Sequence, residues 1–186
     1  MKINRSKTSN KELLEAIETG NVAKVKLILT QTIDVNCRGN LVSRWFRSSP
    51  TPLGCAVERG SVEIVKLLID AEADVNAITR GSTTPLLIAV YKGNFDIVKL
   101  LLEHGAGVNK TVVPESANAL QQAAYYGHEK IVKILLEYGA NPQDVMKGGI
   151  PSLIRIRGSI LELLRDAGGE LPPEIVELLD TETALK

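Results

Sequence analysis

A set of short landmarks recurs along this chain at a nearly constant interval, and this interval constrains the fold more than any other sequence feature. Pairs of identical residues stand 33 positions apart, namely Thr51 and Thr84, Gly60 and Gly93, and Asn76 and Asn109. The next copy is one residue longer, because Gly127 follows Gly93 by 34 positions. Several landmarks keep the same spacing together, so the sequence predicts a tandem array of similar structural units.

Each unit carries two apolar stretches with helical spacing, as the copy at 84–109 illustrates. Its aliphatic residues recur at helical intervals on both sides of Gly93. Thr84 can cap the first helix, Pro85 suits the first helical position, and Gly105 suits a left-handed end of the second helix. Two helices of this length do not bury enough surface to be stable alone, so each unit needs neighbours.

A period of 33 residues with two short antiparallel helices in each unit resembles the ankyrin repeat. The resemblance covers about residues 12–170 and implies an all-α ankyrin-repeat solenoid of helix–turn–helix units, joined by hairpin-like finger loops. We therefore expect a flexible lead at 1–10, a domain of about five repeats at 11–170 with its first and last copies as caps, and a tail at 171–186.

Several positions depart from the repeat pattern. The junction at 37–50 is seven residues longer than the next junction, which predicts a long inserted finger. Glu72 stands where later copies have Gly105 and Gly139, and a side chain on left-handed backbone costs about 1 kcal/mol relative to glycine. The copy at 146–169 is about two residues short, and we interpret it as the closing cap.

The tail begins with two prolines, which suit the start of a helix. Four apolar residues in it are expected to cover the last exposed face of the array. They are Ile175, Val176, Leu178 and Leu179. A short linear motif that binds elsewhere is the alternative.

Charge and hydropathy exclude several classes of protein. The 22 lysines and arginines balance the 22 aspartates and glutamates, so net charge favours neither nucleic acid nor an anionic membrane. No apolar run approaches the roughly 18 to 20 residues of a membrane helix, and the first residues lack the apolar core of a signal peptide. We expect a cytoplasmic protein, or a nucleocytoplasmic one in a eukaryote. Cys37 and Cys55 show no CxxC spacing, so reduced thiols are expected.

The resemblance implies that partners meet the concave side, which the finger tips and the two residues before each mid-repeat glycine form. The candidate partner-binding residues are Arg44, Trp45, Phe46, Arg47, Glu58, Arg59, Ile78, Arg80, Tyr91, Lys92, Lys110, Val112, Tyr125 and Tyr126. Five of the chain's seven aromatic residues belong to this set. Tyrosine and tryptophan are common at interface hot spots, because they bury a large area at low entropic cost.

The same residues allow other interpretations. The tyrosines can pad neighbouring copies, and Trp45 and Phe46 can pack within their own long loop. Basic residues outnumber acidic ones in the candidate set, which favours an acidic partner surface. Loop charges that only face water would give the same pattern.

The sequence does not predict an enzyme. It contains no recognised catalytic motif, and its two histidines, His104 and His128, lie in different copies, so no cofactor or metal site is expected. The expected function is noncovalent binding of a folded protein by a chain that is monomeric when unbound. An inhibitor or immunity-type protein that neutralises a toxin or enzyme would use the same surface and is the alternative. Nucleic-acid binding ranks lower, because no binding motif accompanies the basic residues.

Overall fold

The computed structural model describes residues 5–38, 51–79, 83–111, 117–147 and 153–184. Within these segments the regular secondary structure is helical, apart from one isolated β-bridge between Thr79 and Thr83. The predicted all-α fold class is therefore confirmed. The chain divides into two compact units, Met1–Gly107 (unit 1) and Val108–Lys186 (unit 2).

The described residues of unit 1 form three helical hairpins. Their helices are α1 (Arg5–Glu18) and α2 (Val22–Leu29), α3 (Pro52–Arg59) and α4 (Val62–Asp70), and α5 (Pro85–Tyr91) and α6 (Phe95–Glu103). The two helices of each hairpin pack on one another. The first helices also pack in a row, α1 on α3 and α3 on α5, and the second helices do the same, α2 on α4 and α4 on α6. Each hairpin thus buries its apolar face against a neighbouring copy, as the sequence period predicts.

Side-chain caps explain where the first helices of the later hairpins begin. Thr51 Oγ1 accepts a hydrogen bond from the Gly54 amide at 3.1 Å, and Thr84 Oγ1 accepts one from the Leu87 amide at 3.3 Å. A proline follows each threonine at a position that needs no amide hydrogen. The cap predicted at Thr84 is therefore present, and it has an equivalent one copy earlier.

Helix α1 begins at Arg5, inside the segment that the sequence assigns to the lead at 1–10. No glycine or proline interrupts residues 5–10. A helix anchored by the buried residues Leu13, Leu14 and Ile17 can therefore continue outwards into polar sequence that shows no apolar periodicity.

The core of unit 1 consists of aliphatic side chains from both helices of each hairpin. Those that are almost completely buried are Leu13, Leu14, Ile17, Leu53, Ile64, Leu68, Leu86, Ile97 and Leu101. Complete burial of one such side chain stabilises the fold by about 1.5–3 kcal/mol. Aliphatic residues of the helices therefore form the core, and other residues of the helices lie at the surface.

A recurring asparagine bonds the turn that ends a later hairpin, and in each case all the bonded residues lie in the same unit. Its side-chain nitrogen donates to a backbone carbonyl of the following copy, and its side-chain oxygen accepts from an amide two residues further on. The sets are Asn36 with Glu72 and Asp74, Asn76 with Gly105 and Gly107, and Asn109 with Gly139 and Asn141. These bonds fix the start of each finger loop against its neighbour.

Glu72 has φ of 65° and is the single non-glycine residue with left-handed backbone among the described residues. The equivalent glycines, Gly105 and Gly139, have φ of 82°. The predicted left-handed position of Glu72 is therefore confirmed.

The described part of unit 2 begins with a hairpin like those of unit 1. Its helices are α7 (Ala119–Tyr125), α8 (Glu129–Glu137), the single turn α9 (Gln143–Met146), α10 (Gly158–Asp166) and α11 (Pro173–Ala184). Helix α7 packs on α8 and α9, and α10 packs on α8. A capping box starts α7, since Asn118 and Gln121 each bond the backbone amide of the other.

The tail forms α11, which buries Ile175 and Leu179. Val176 is half-buried, whereas Leu178 is exposed. Two of the four predicted covering residues therefore belong to the apolar core of unit 2, because residues 175 and 179 lie one helical turn apart on the same face.

Candidate functional site

A glycine with left-handed backbone follows the first helix of each hairpin. The two residues before it lie at the C-terminal end of that helix. In unit 1 these glycines are Gly20, Gly60 and Gly93, with φ between 68° and 75°. Tyr91 is the last residue of α5 and is 60% exposed, and Lys92 beside it is also exposed. The helix directs its aliphatic residues inward and leaves this pair at the surface.

The equivalent pair one copy earlier is Glu58 and Arg59. Glu58 is half-buried and Arg59 is exposed. The Arg59 guanidinium extends towards the preceding copy, since its Nη2 lies 4.0 Å from the place where a Cβ on Gly20 would stand. Nearby, the Oε1 atom of Glu18 is shielded from solvent and has no hydrogen-bond partner among the described residues.

Unit 1 also contains two buried thiols, Cys37 and Cys55. Burial raises the pKa of Cys55 to about 12, and the carboxylates of Glu18 and Glu58 add to that rise. Burial, followed by the charge of Asp34, raises the pKa of Cys37 to about 11. Both thiols are therefore protonated and poorly nucleophilic at neutral pH.

The finger loops are described only at their bases. Arg38 Nη2 donates to the Ile78 carbonyl at 3.3 Å, and the Thr79 amide donates to the Thr83 carbonyl at 2.8 Å. Ile78 and, in unit 2, Lys110 are exposed. The remaining predicted finger residues lie outside the described residues: Arg44, Trp45, Phe46, Arg47, Arg80 and Val112.

In unit 2 the candidate residues Tyr125 and Tyr126 form a small aromatic cluster with His128. The tyrosine rings meet edge to face with centroids 5.2 Å apart, and Tyr126 stacks on His128 at 6.1 Å. Tyr125 is 53% exposed and Tyr126 is 46% exposed. His128 occupies the N-cap of α8 without a capping bond, and its shielded Nε2 has no hydrogen-bond partner among the described residues.

Arg157, which the sequence did not indicate as a site residue, approaches Gly127, which directly follows Tyr126 in the chain. A Cβ on Gly127 would lie 3.4 Å from Arg157 Nε and 3.7 Å from its Cζ, so the guanidinium lies against the turn that follows Tyr126. The shortened last copy hides this contact from the 33-residue period, although Arg59 in unit 1 approaches the place of a Cβ on Gly20 in a similar way. The sequence offers two signals: the arginine pair at 155 and 157, and the run Arg157-Gly158-Ser159, which repeats Arg59-Gly60-Ser61.

The described residues offer no metal site, because they contain no cluster of three or more histidine, cysteine or acidic side chains that could hold an ion. In the same part of the chain, no helix has the length and apolar character needed to cross a membrane. The candidate residues carry exposed rings and charges, which suit noncovalent contact. Their role in partner binding stays a prediction.

The sequence model described as ankyrin repeats (3 copies) matches residues 13–112 and 81–146, which together cover more than half of the chain. No curated protein matches the sequence. Ankyrin repeats are generally protein–protein interaction modules, and the family is typically non-enzymatic. The match runs from α1 to the end of α9 and includes the helices that carry the tyrosines. The chain therefore belongs to the ankyrin-repeat family.

Proposed function

We propose that this chain binds another folded protein noncovalently, through the exposed residues before its mid-repeat glycines and through its finger loops. One observation carries this proposal: Tyr91, Tyr125 and Tyr126 are between 46% and 60% exposed, whereas the aliphatic residues of α5 and α7 are buried, apart from the half-buried Ile88. An exposed tyrosine offers a large apolar ring with a polar tip, which is typical of an interface hot spot. The general role of ankyrin repeats as interaction modules supports the proposal.

We further propose that the partner presents an acidic surface. The described basic candidates Arg59, Lys92 and Lys110 are all exposed, whereas the acidic candidate Glu58 is half-buried. Exposed positive charge accelerates association with an acidic surface, and salt screens that attraction. We expect association to slow as ionic strength rises, and we expect Arg59→Glu to slow it at low salt.

Affinity capture from a native lysate of the source organism, with the retained proteins identified by mass spectrometry, tests the function. Three variants are compared with the wild type: Tyr91→Ala, Tyr125→Ala/Tyr126→Ala, and the matched control Tyr138→Ala. Tyr138 is 43% exposed but lies beside Gly139 at the end of α8, outside the candidate set. We expect recovery of the partner to fall about tenfold or more in the first two variants, as for interface hot spots, and to stay unchanged in the control.

Circular dichroism and urea unfolding establish that each variant is folded before capture. Equal recovery of the same proteins by all folded variants would reject the tyrosines as the binding surface.

A further inference from the structure

We propose, on the basis of the protein-binding function above, that Arg157 joins Tyr125 and Tyr126 to form a contact site for an acidic side chain of the partner. A neighbouring apolar side chain of the same partner packs on the tyrosine rings. Three observations in unit 2 carry this assignment: the position of the Arg157 guanidinium against Gly127, the absence of a carboxylate partner for it among the described residues, and the arrangement of the tyrosine rings that precede Gly127.

The guanidinium of Arg157 lies against the turn at Gly127. Arg157 is the N-cap residue of α10, and the packing of α10 on α8 brings its side chain across this turn. The Nε and Cζ atoms lie 3.4 Å and 3.7 Å from the place of a Gly127 Cβ, which is van der Waals distance. A guanidinium that already packs on the protein surface loses less side-chain entropy on binding than one that moves freely in water.

No carboxylate neutralises this charge within the described part of the chain. Arg155 and Arg157 are both exposed, and neither forms a salt bridge with a described residue. Glu129 opens α8, but its Oε1 accepts a hydrogen bond from Ser159 Oγ at 2.5 Å instead. The planar donors of an arginine match the two oxygens of a carboxylate, so an aspartate or glutamate of the partner is the complementary group.

The tyrosine rings that precede Gly127 in the chain add an apolar surface. Tyr126 lies between Tyr125, which it meets edge to face, and His128, on which it stacks. These contacts hold the ring in place while about half of its surface stays exposed. The site therefore favours a partner in which an acidic residue is followed or preceded by an aromatic or aliphatic one. The acidic group can then bind the guanidinium while the apolar side chain packs on the tyrosine rings.

A phage-displayed library of a small folded domain with randomised surface positions tests the assignment. The full chain is the target, and binders are kept only when they fail to bind the Tyr125→Ala/Tyr126→Ala variant. Among these binders we expect enrichment of aspartate and glutamate next to apolar residues. We expect Arg157→Gln to weaken their binding about tenfold, whereas Arg165→Gln, an exposed arginine at the other end of α10, leaves it within about twofold.

The outcomes separate the two proposals. Binders that need the tyrosines but show no acidic enrichment, or that bind Arg157→Gln as well as wild type, overturn the role of Arg157 and leave the tyrosine surface intact. A library that yields no tyrosine-dependent binder counts against both proposals. Arg157→Lys gives a further check, since it keeps the charge but loses the planar donors, and we expect it to recover only part of the binding.

Discussion

The side-chain amide of Asn36 donates a hydrogen bond to the backbone carbonyl of Glu72 at 3.2 Å, although Glu72 has left-handed backbone with φ of 65°. The oxygen of the same amide accepts from the Asp74 amide at 2.8 Å. The preceding copy thus holds the turn on both sides of Glu72. These bonds use backbone atoms, so they persist whatever side chain stands at position 72.

Replacement of Glu72 by glycine should therefore stabilise unit 1. We expect Glu72→Gly to raise the free energy of unfolding by about 1 kcal/mol, because it removes the steric cost of a Cβ on left-handed backbone. Urea denaturation followed by circular dichroism measures the change. Glu72→Ala is the matched control, since it removes the carboxylate and keeps the Cβ. If the alanine variant gains as much as the glycine variant, the backbone explanation is wrong.

Loss of one bridging asparagine should weaken the contact between copies. Asn76 Nδ2 donates to the Gly105 carbonyl at 2.9 Å, and Asn76 Oδ1 accepts from the Gly107 amide at 2.8 Å. We expect Asn76→Ala to lower the free energy of unfolding by about 1–3 kcal/mol. The control is Gln31→Ala, an exposed change after α2 that should stay within about 0.5 kcal/mol of wild type. A similar loss in both variants would contradict a bridging role.

Gly54 in α3 lies so close to Thr79, at the base of a finger loop, that a methyl group at position 54 should destabilise the fold. A Cβ on Gly54 would overlap Thr79 Oγ1 and lie 3.1 Å from Thr51 Oγ1, and both threonines are buried. We expect Gly54→Ala to destabilise the fold by about 1–3 kcal/mol, although alanine has the better helix propensity. A double-mutant cycle with Thr79→Gly measures the clash directly. An unchanged cost of Gly54→Ala in the Thr79→Gly background would rule the clash out.

The buried thiols should react slowly and should make stability fall at alkaline pH. Because the thiolate is the nucleophile, we expect Cys37 and Cys55 to resist alkylation at pH 8 in the folded chain and to react readily in urea. Their pKa values in the folded chain, about 11 and about 12, lie above the ordinary value of 9.0. Their contribution to stability is therefore complete below pH 9 and is lost as pH rises through 11 to 12.

The cysteine contribution can be separated from other groups that titrate in this range. The free energy of unfolding of wild type is compared with that of Cys37→Ala/Cys55→Ala at a series of pH values. We expect wild type to lose stability relative to the variant above pH 9. A difference that does not change with pH would show that the folded thiols titrate normally.

The parts of the fold that depend on local sequence were predictable. The helix pairs, the cap at Thr84 and the left-handed position of Glu72 each follow from residues within one copy and from comparison with the next. Chain spacing determines these features, so a regular period reveals them. The exposure of Tyr91 beside Gly93 belongs to the same class, although its role in binding remains a prediction.

Contacts between distant and irregular segments were not predictable. Arg157 reaches Gly127 across 30 positions from a copy that does not keep the repeat spacing, so the 33-residue period does not align the two residues. The approach of Thr79 to Gly54 depends on the path of a finger loop, which the apolar pattern does not determine. Helix α1 extends back to Arg5 because the packing of its later residues stabilises it. The residues at 5–10 are polar and lack an apolar periodicity from which this extension could be predicted.

The half-buried Glu58 and the exposed Arg59, Tyr91 and Lys92 contribute little to the core, since aliphatic residues elsewhere on α3 and α5 supply it. Under the proposed function, we expect mutations at these pairs to alter recognition while the folding free energy stays almost constant. If partner binding by these pairs is confirmed, single substitutions there should change the preferred target without producing variants that fail to fold.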